Sequence, residues 1–172
     1  MEMVIPAVLV IALLLLTVLT LSEQFLSSHE AVAESWREMQ ERVGERARTD
    51  LSSVEAQTIS SGAVVEITLR NDGDTKLADF DRWDVILQYR DVFLVSHTEW
   101  YPYGLWENEW KVEGIYLDAS EGTGEAFEPD ILNPGEEMVI WVWVDPDVGL
   151  GTTNLATIAT YNGITVSTIF TR

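Results

Sequence analysis

The chain has 172 residues, nearly half of them apolar, with 29 acidic against 10 basic side chains and a net charge of -19. That balance excludes nucleic-acid binding, because no basic surface exists to displace counterions from phosphates, and it disfavours docking on anionic lipid head groups. With no cysteine, disulfides, thiolate metal sites and cysteine nucleophiles are excluded too.

Residues 3–21, MVIPAVLVIALLLLTVLTL, carry no charge. About 20 apolar residues are what a bilayer core asks of a helix. Pro6 lies in the first turns, where a missing N–H matters least, and Leu13 and Leu16 sit in the middle of the run. A cleaved secretory signal would have a basic start, a shorter apolar core and a small-residue cleavage site. None of these is present, so that reading ranks below the other two, a plain membrane anchor or a helix that later packs against copies of itself. The first basic residue is Arg37, so the positive-inside rule has nothing to act on at the N-terminal flank. This predicts a short basic leader removed ahead of Met1. Glu2 is then placed to offset the helix dipole or to meet a neighbour's free amine, or it is simply a solvated charge.

Helical periodicity continues over residues 22–48. Phe25, Val32, Trp36, Met39 and Val43 recur at spacings of three, four and seven. A helix of about 45 residues would reach roughly 65–70 Å, far more than one bilayer needs. Residues 1–50 are therefore predicted as one membrane-inserting helix, apolar all round in its first half and amphipathic in its second, where it has either its own head domain or other copies to lie against.

Residues 51–172 are predicted as an all-β head domain. Ala63, Val65, Ile67 and Leu69 alternate with Val64, Glu66, Thr68 and Arg70, and Trp83, Val85, Leu87 and Tyr89 alternate again. Asn71-Asp72-Gly73-Asp74 and Asn133-Pro134-Gly135 are turns. Residues 138–144 form a strand with Trp141 and Trp143 on one face and Ile140, Val142 and Val144 on the other, so either loops or another subunit must cover one side. Asn162-Gly163 between residues 156–161 and 164–170 is a two-residue hairpin signal. Several short strands separated by turns make an α+β chain: a long N-terminal hydrophobic α-helix followed by an immunoglobulin-like antiparallel β-sandwich.

The chain has seven tryptophans, and the stretch from Trp100 through Tyr101, Tyr103 and Trp106 to Trp110 is the most unusual segment. Pro102 and Gly104 assign it to a loop. Three roles stand open for it: a subunit contact, packing onto the core, or stacking on sugars. With Trp141 and Trp143 these residues are the candidate interface. Asp72, Asp74, Asp79 and Asp81 are dense enough to offer oxygen ligands to calcium, but they lack EF-hand spacing, and a solvated acidic turn is the favoured account of them. His29 and His97 have no nucleophile pattern around them, and no G-x-S-x-G or H-E-x-x-H occurs. Neither catalysis nor a cofactor is expected.

The segment Leu69-Arg70-Asn71-Asp72-Gly73-Asp74-Thr75-Lys76-Leu77, followed by Asp79-Phe80-Asp81-Arg82-Trp83-Asp84-Val85, and the later Leu132-Asn133-Pro134-Gly135-Glu136 resemble turns of archaellar sandwich domains. Coupled to the N-terminal helix, the chain is similar to archaellins and to the archaellar accessory proteins that share their head fold. The Met-Glu start and the aromatic segment depart from that pattern. The resemblance implies a surface filament for motility or adhesion. Its subunits would sit in the membrane first, be extracted by an ATPase-driven assembly platform and form a homopolymer with helices inside and heads outside. The alternative it implies is a membrane-anchored accessory or stator protein whose sandwich binds the envelope layer or the filament.

Overall fold

The computed structural model of the chain describes residues 4–125 and 128–172. One helix, α1, runs unbroken over Val4–Arg48, 45 residues. It is long and apolar enough to cross a membrane. Its hydroxyls would be a liability in hydrocarbon, and the helix removes it. Thr17 bonds to the carbonyl of Leu13, Thr20 to that of Leu16 at 3.1 Å and Ser22 to that of Val18 at 2.8 Å. Each hydroxyl finds its partner one turn back, so the surface that remains is hydrocarbon.

The chain divides into two compact units, Met1–Gly44 and Glu45–Arg172. Among the described residues the second unit holds nine strands: β1 (Leu51–Ile59), β2 (Val64–Asn71), β3 (Asp84–Arg90), β4 (Ser96–Tyr101), β5 (Trp110–Asp118), β6 (Thr123–Gly124), β7 (Glu137–Trp143), β8 (Thr153–Ala159) and β9 (Thr165–Thr171). They form two antiparallel sheets, ordered β1-β2-β7-β5-β6 and β4-β3-β8-β9. This is the α+β sandwich that the alternation predicts.

Period-two alternation fixes which residues meet between the sheets. Val65, Ile67 and Leu69 of β2 and Met138, Ile140 and Val142 of β7 are fully buried from one side. Val85, Leu87 and Tyr89 of β3 and Ala156 and Ile158 of β8 close the core from the other. Each large aliphatic side chain removed from water contributes about 1.5–3 kcal/mol.

Asn71, at the end of β2, is fully buried and organises the turn that follows. Its amide donates to the carbonyls of Thr75 at 2.8 Å and Leu132 at 3.0 Å, and its Oδ1 accepts from the N–H of Gly73 at 3.1 Å. Gly73 has no room for a side chain: a Cβ there would stand 2.5 Å from the Arg48 carbonyl oxygen and from the Asp50 nitrogen.

The last hairpin differs from the two-residue turn expected. Ala159 pairs with Thr165, and the N–H of Thr160 bonds to the Ile164 carbonyl at 2.9 Å, which leaves the three residues Tyr161, Asn162 and Gly163 in the loop. Gly163 takes a left-handed φ of 81°. The Thr160 hydroxyl sets the extra residue by donating to Asn162 Oδ1 at 2.6 Å and accepting from the Ile164 N–H at 3.1 Å. A three-residue loop closed by a left-handed glycine is the next commonest hairpin solution.

Candidate interaction surfaces

The first surface is the helix. Leu13, Leu16, Phe25, Val32, Trp36 and Met39 are each more than half exposed. Pro6 lies within α1 with its side chain outside the described part, and Glu2 lies outside the described residues. A rod exposing this much hydrocarbon is stable only in lipid or against other apolar surface.

The second surface is the aromatic segment, which is not one loop. Trp100 and Tyr101 end β4 and Trp110 opens β5, so only residues 102–109 are irregular. Pro102 and Gly104 interrupt the ladder but do not abolish the strands on either side. Tyr101 and Trp110 are buried in the core, whereas Trp100, Tyr103 and Trp106 are exposed. Of the predicted interface, then, Tyr101 and Trp110 are internal packing. The Trp100 indole N–H donates to Asp84 Oδ1 at 2.8 Å, which holds its ring on the outer face of its sheet.

Trp141 and Trp143 lie half-buried on the outer face of the other sheet, edge to face at 6.2 Å. Neighbouring side chains of the same sheet contact them. Lys111 Nζ stands 5.0 Å from the centroid of one ring and 5.6 Å from the other, and the Trp141 indole donates to Glu66 Oε2 at 2.8 Å.

The four aspartates proposed for calcium lie in the connection between β2 and β3 without converging. Asp72 accepts from the Ser52 hydroxyl and pairs with Arg70 at 3.4 Å, and Asp79 pairs with Arg82 at 3.8 Å. Among the described residues, no group of three acidic, histidine or cysteine side chains is arranged to hold a metal ion.

Sequence reasoning missed a third feature, at the β3–β4 connection. Asp91 is buried, and its Oδ1 accepts from the N–H groups of Phe93 at 2.8 Å and Val95 at 2.9 Å. His97 Nε2 lies 3.0 Å from Asp91 Oδ2, its Nδ1 lies 3.2 Å from Glu99 Oε1, and its ring stacks on Tyr89 with centroids 5.0 Å apart. The hydrogen bond to Asp91 raises the His97 pKa above its ordinary value; burial opposes this and Glu99 adds to it. At Asp91 burial pushes the pKa up, but the hydrogen bonds from His97, Val95 and Phe93 outweigh it and the net direction is down. Beside these hydrogen bonds, Val92, Phe93, Leu94 and Val95 are all exposed, and Leu94 holds a left-handed φ of 62°. The only trace in the sequence is four apolar residues without alternation between two alternating strands.

The described chain thus sets a single apolar helix at the N-terminus ahead of an antiparallel sandwich. No protein-family model and no curated protein matches the chain. Among solved structures it is similar to the archaellum periplasmic stator protein FlaG from Sulfolobus acidocaldarius, with a TM-score of 0.54 and 21% identity over 71% of this chain and 99% of that one. The complex of the stator proteins FlaF and FlaG from the same organism gives 0.52 and 21% over 70% and 87%. The archaeal flagellum of Methanospirillum hungatei strain JF1 gives 0.62 and 12% over 97% and 92%. At these identities the likeness is one of fold: the chain has the fold of archaellum components.

Proposed function

We propose that the chain is a structural subunit of an archaellum-like, type IV pilin-related filament outside the cell, used for motility or adhesion. The observation that carries this is the unbroken 45-residue helix whose first half is apolar on every side. A bilayer does not require the second half, with its stripe of Phe25, Val32, Trp36 and Met39. A bundle of parallel copies does, because it offers apolar neighbours along the whole rod. The likeness to the Methanospirillum flagellum runs through helix and head together and supports the same role.

The physics of assembly is favourable. An all-apolar helix loses little on moving from lipid to a helix bundle, since both surroundings are hydrocarbon. Contacts repeated head to tail without closing generate a helical polymer. The subunit waits in the membrane, an ATPase-driven platform extracts it, and the acidic heads form the outer layer. The role is structural and involves no catalysis.

The alternative role is a membrane-anchored archaellar accessory or stator protein whose sandwich binds the envelope layer or the filament. One observation favours it: the matched part of this chain accounts for nearly all of the FlaG structure, at a higher identity than the flagellum match. Shearing cells and weighing the chain in the released fibres against the membranes separates the two. The filament role is expected to make it the dominant band of the fibres. A chain that stays with the membranes in low copy contradicts that role and supports the anchored one.

A further inference from the structure

We propose that the head pairs with a second copy of itself edge to edge through β4, antiparallel, about a two-fold axis at Thr98. The pairing is separate from polymerisation through the helix and rests on the sandwich alone.

Strand β4 is the margin of its sheet, and among the described residues only β3 is bonded to it. Natural sheets blunt such edges with lysine, proline, bulges or inward charges. Ser96–Tyr101 has no lysine, no proline and no break in its register with β3. Its inward charges are His97 and Glu99, of opposite sign when the imidazole is protonated. The strand is instead bracketed by exposed apolar side chains: Phe93 and Leu94 before it, Leu105 and Trp106 after it. Antiparallel pairing with an identical strand sets the leading bracket of each copy beside the trailing bracket of the other. One operation therefore covers both patches, as an isologous contact requires.

The backbone fixes the phase. The Asp91 N–H bonds to the Val95 carbonyl at 3.0 Å, in line with the Arg90–Ser96 and Tyr89–His97 partners of the β3–β4 ladder. Bonded and non-bonded pairs alternate along an antiparallel ladder. The main-chain groups of His97, Glu99 and Tyr101 therefore face β3, and those of Ser96, Thr98 and Trp100 face outward. Side chains select the register. A two-fold at Thr98 sets Thr98 opposite itself, Ser96 opposite Trp100, and His97 opposite Glu99 of the second copy. Threonine pairs and opposite charges across strands are favourable. A two-fold at Glu99 would set two carboxylates face to face and Ser96 opposite Pro102, which has no N–H to give.

The chain has no cysteine, so one introduced thiol reports on one position. The full-length protein in detergent carries Thr98→Cys, Glu99→Cys or, as an exposed control on β9, Thr165→Cys, and disulfide dimers are timed under mild oxidant. Paired residues of this type hold their Cα atoms about 5.5 Å apart, within disulfide reach. Thr98→Cys is expected to cross-link at least about tenfold faster than the control, because pairing raises the local thiol concentration. Helix-driven association is common to all three variants and cancels. Equal rates at Thr98 and Thr165 overturn the proposal, and so does a faster rate at Glu99 than at Thr98. A second variant, Thr98→Pro, removes an N–H that faces off the edge, and an edge strand tolerates proline at such a position. It is expected to abolish the pairing seen by sedimentation with circular dichroism unchanged, and a paired Thr98→Pro protein contradicts the edge contact.

Discussion

Asn71 shows how one side chain organises a turn. Its three hydrogen bonds join the end of β2 to the turn that follows and to Leu132 in the connection before β7. Asn71→Ala takes the side-chain donor from the Thr75 carbonyl, while the Leu132 carbonyl keeps the Leu77 N–H and the Gly73 N–H keeps the Asp50 carbonyl, so the cost is about 1–3 kcal/mol for the one orphaned group. The expected outcome is a lower denaturant midpoint with an unchanged slope, whereas a surface change such as Thr165→Ala should stay within about 0.5 kcal/mol. His97 and Asp91 give the head a pH signature. The raised imidazole contributes stability that is full below its ordinary value of 6.5 and is lost as pH rises through the folded value. The lowered carboxyl contributes stability that is full above 3.8 and is lost as pH falls through its folded value. The advantage of the parent over His97→Ala in chemical denaturation is therefore expected to be greatest between these limits and to shrink at higher pH. An advantage that grows toward pH 8 would contradict the pairing of His97 with Asp91.

Among the elements, the β8–β9 hairpin does more than join two strands. Within the unit Glu45–Arg172, the Tyr161 hydroxyl donates to Glu45 Oε1 at 2.5 Å, the Asn162 amide donates to the Thr49 hydroxyl at 2.8 Å, and Arg46 donates to the Gly163 carbonyl at 3.1 Å. Burial first, then the bond to Glu45, push the Tyr161 hydroxyl up to about 12. Tyr161→Phe is expected to lower stability by about 0.5–1.5 kcal/mol and to speed amide exchange in residues 45–49 first. For α1, Leu16→Arg puts a charge in the centre of the apolar run, at about 2.5–3.5 kcal/mol on the insertion scale. Alkaline extraction of membranes is expected to release that variant and retain the parent. Strands were legible where one face is buried and the other wet, as in β2 and β3, and β7 was legible as an apolar run bounded by turns. The margins were not. In β1 and β4 polar residues occur on both faces, and in β5 a register shift between Val112 and Gly114 breaks the period. Pro102 and Gly104 then hid the two strands they separate. Burial of Tyr101 and Trp110 was illegible for the same reason, since facing in or out depends on a strand that composition did not announce. The rigid apolar tip at residues 92–95 was unreadable because its order comes from Asp91 and His97 acting across a turn.

At the scale of the whole molecule, two kinds of surface divide the work. The helix offers unbroken hydrocarbon and no unpaired hydroxyl at Thr17, Thr20 or Ser22, which suits exchange of lipid for copies of itself. The head carries an excess of acidic side chains, which keeps its surface hydrated. Removing the apolar N-terminal segment should therefore uncouple solubility from assembly. The most direct measurement is sedimentation and electron microscopy of the purified chain with and without residues 1–21, after detergent is withdrawn. The intact chain is expected to form filaments with a helical core. The truncated chain is expected to remain dispersed as folded heads, no larger than pairs. Filaments built by the truncated chain would contradict polymerisation through the helix.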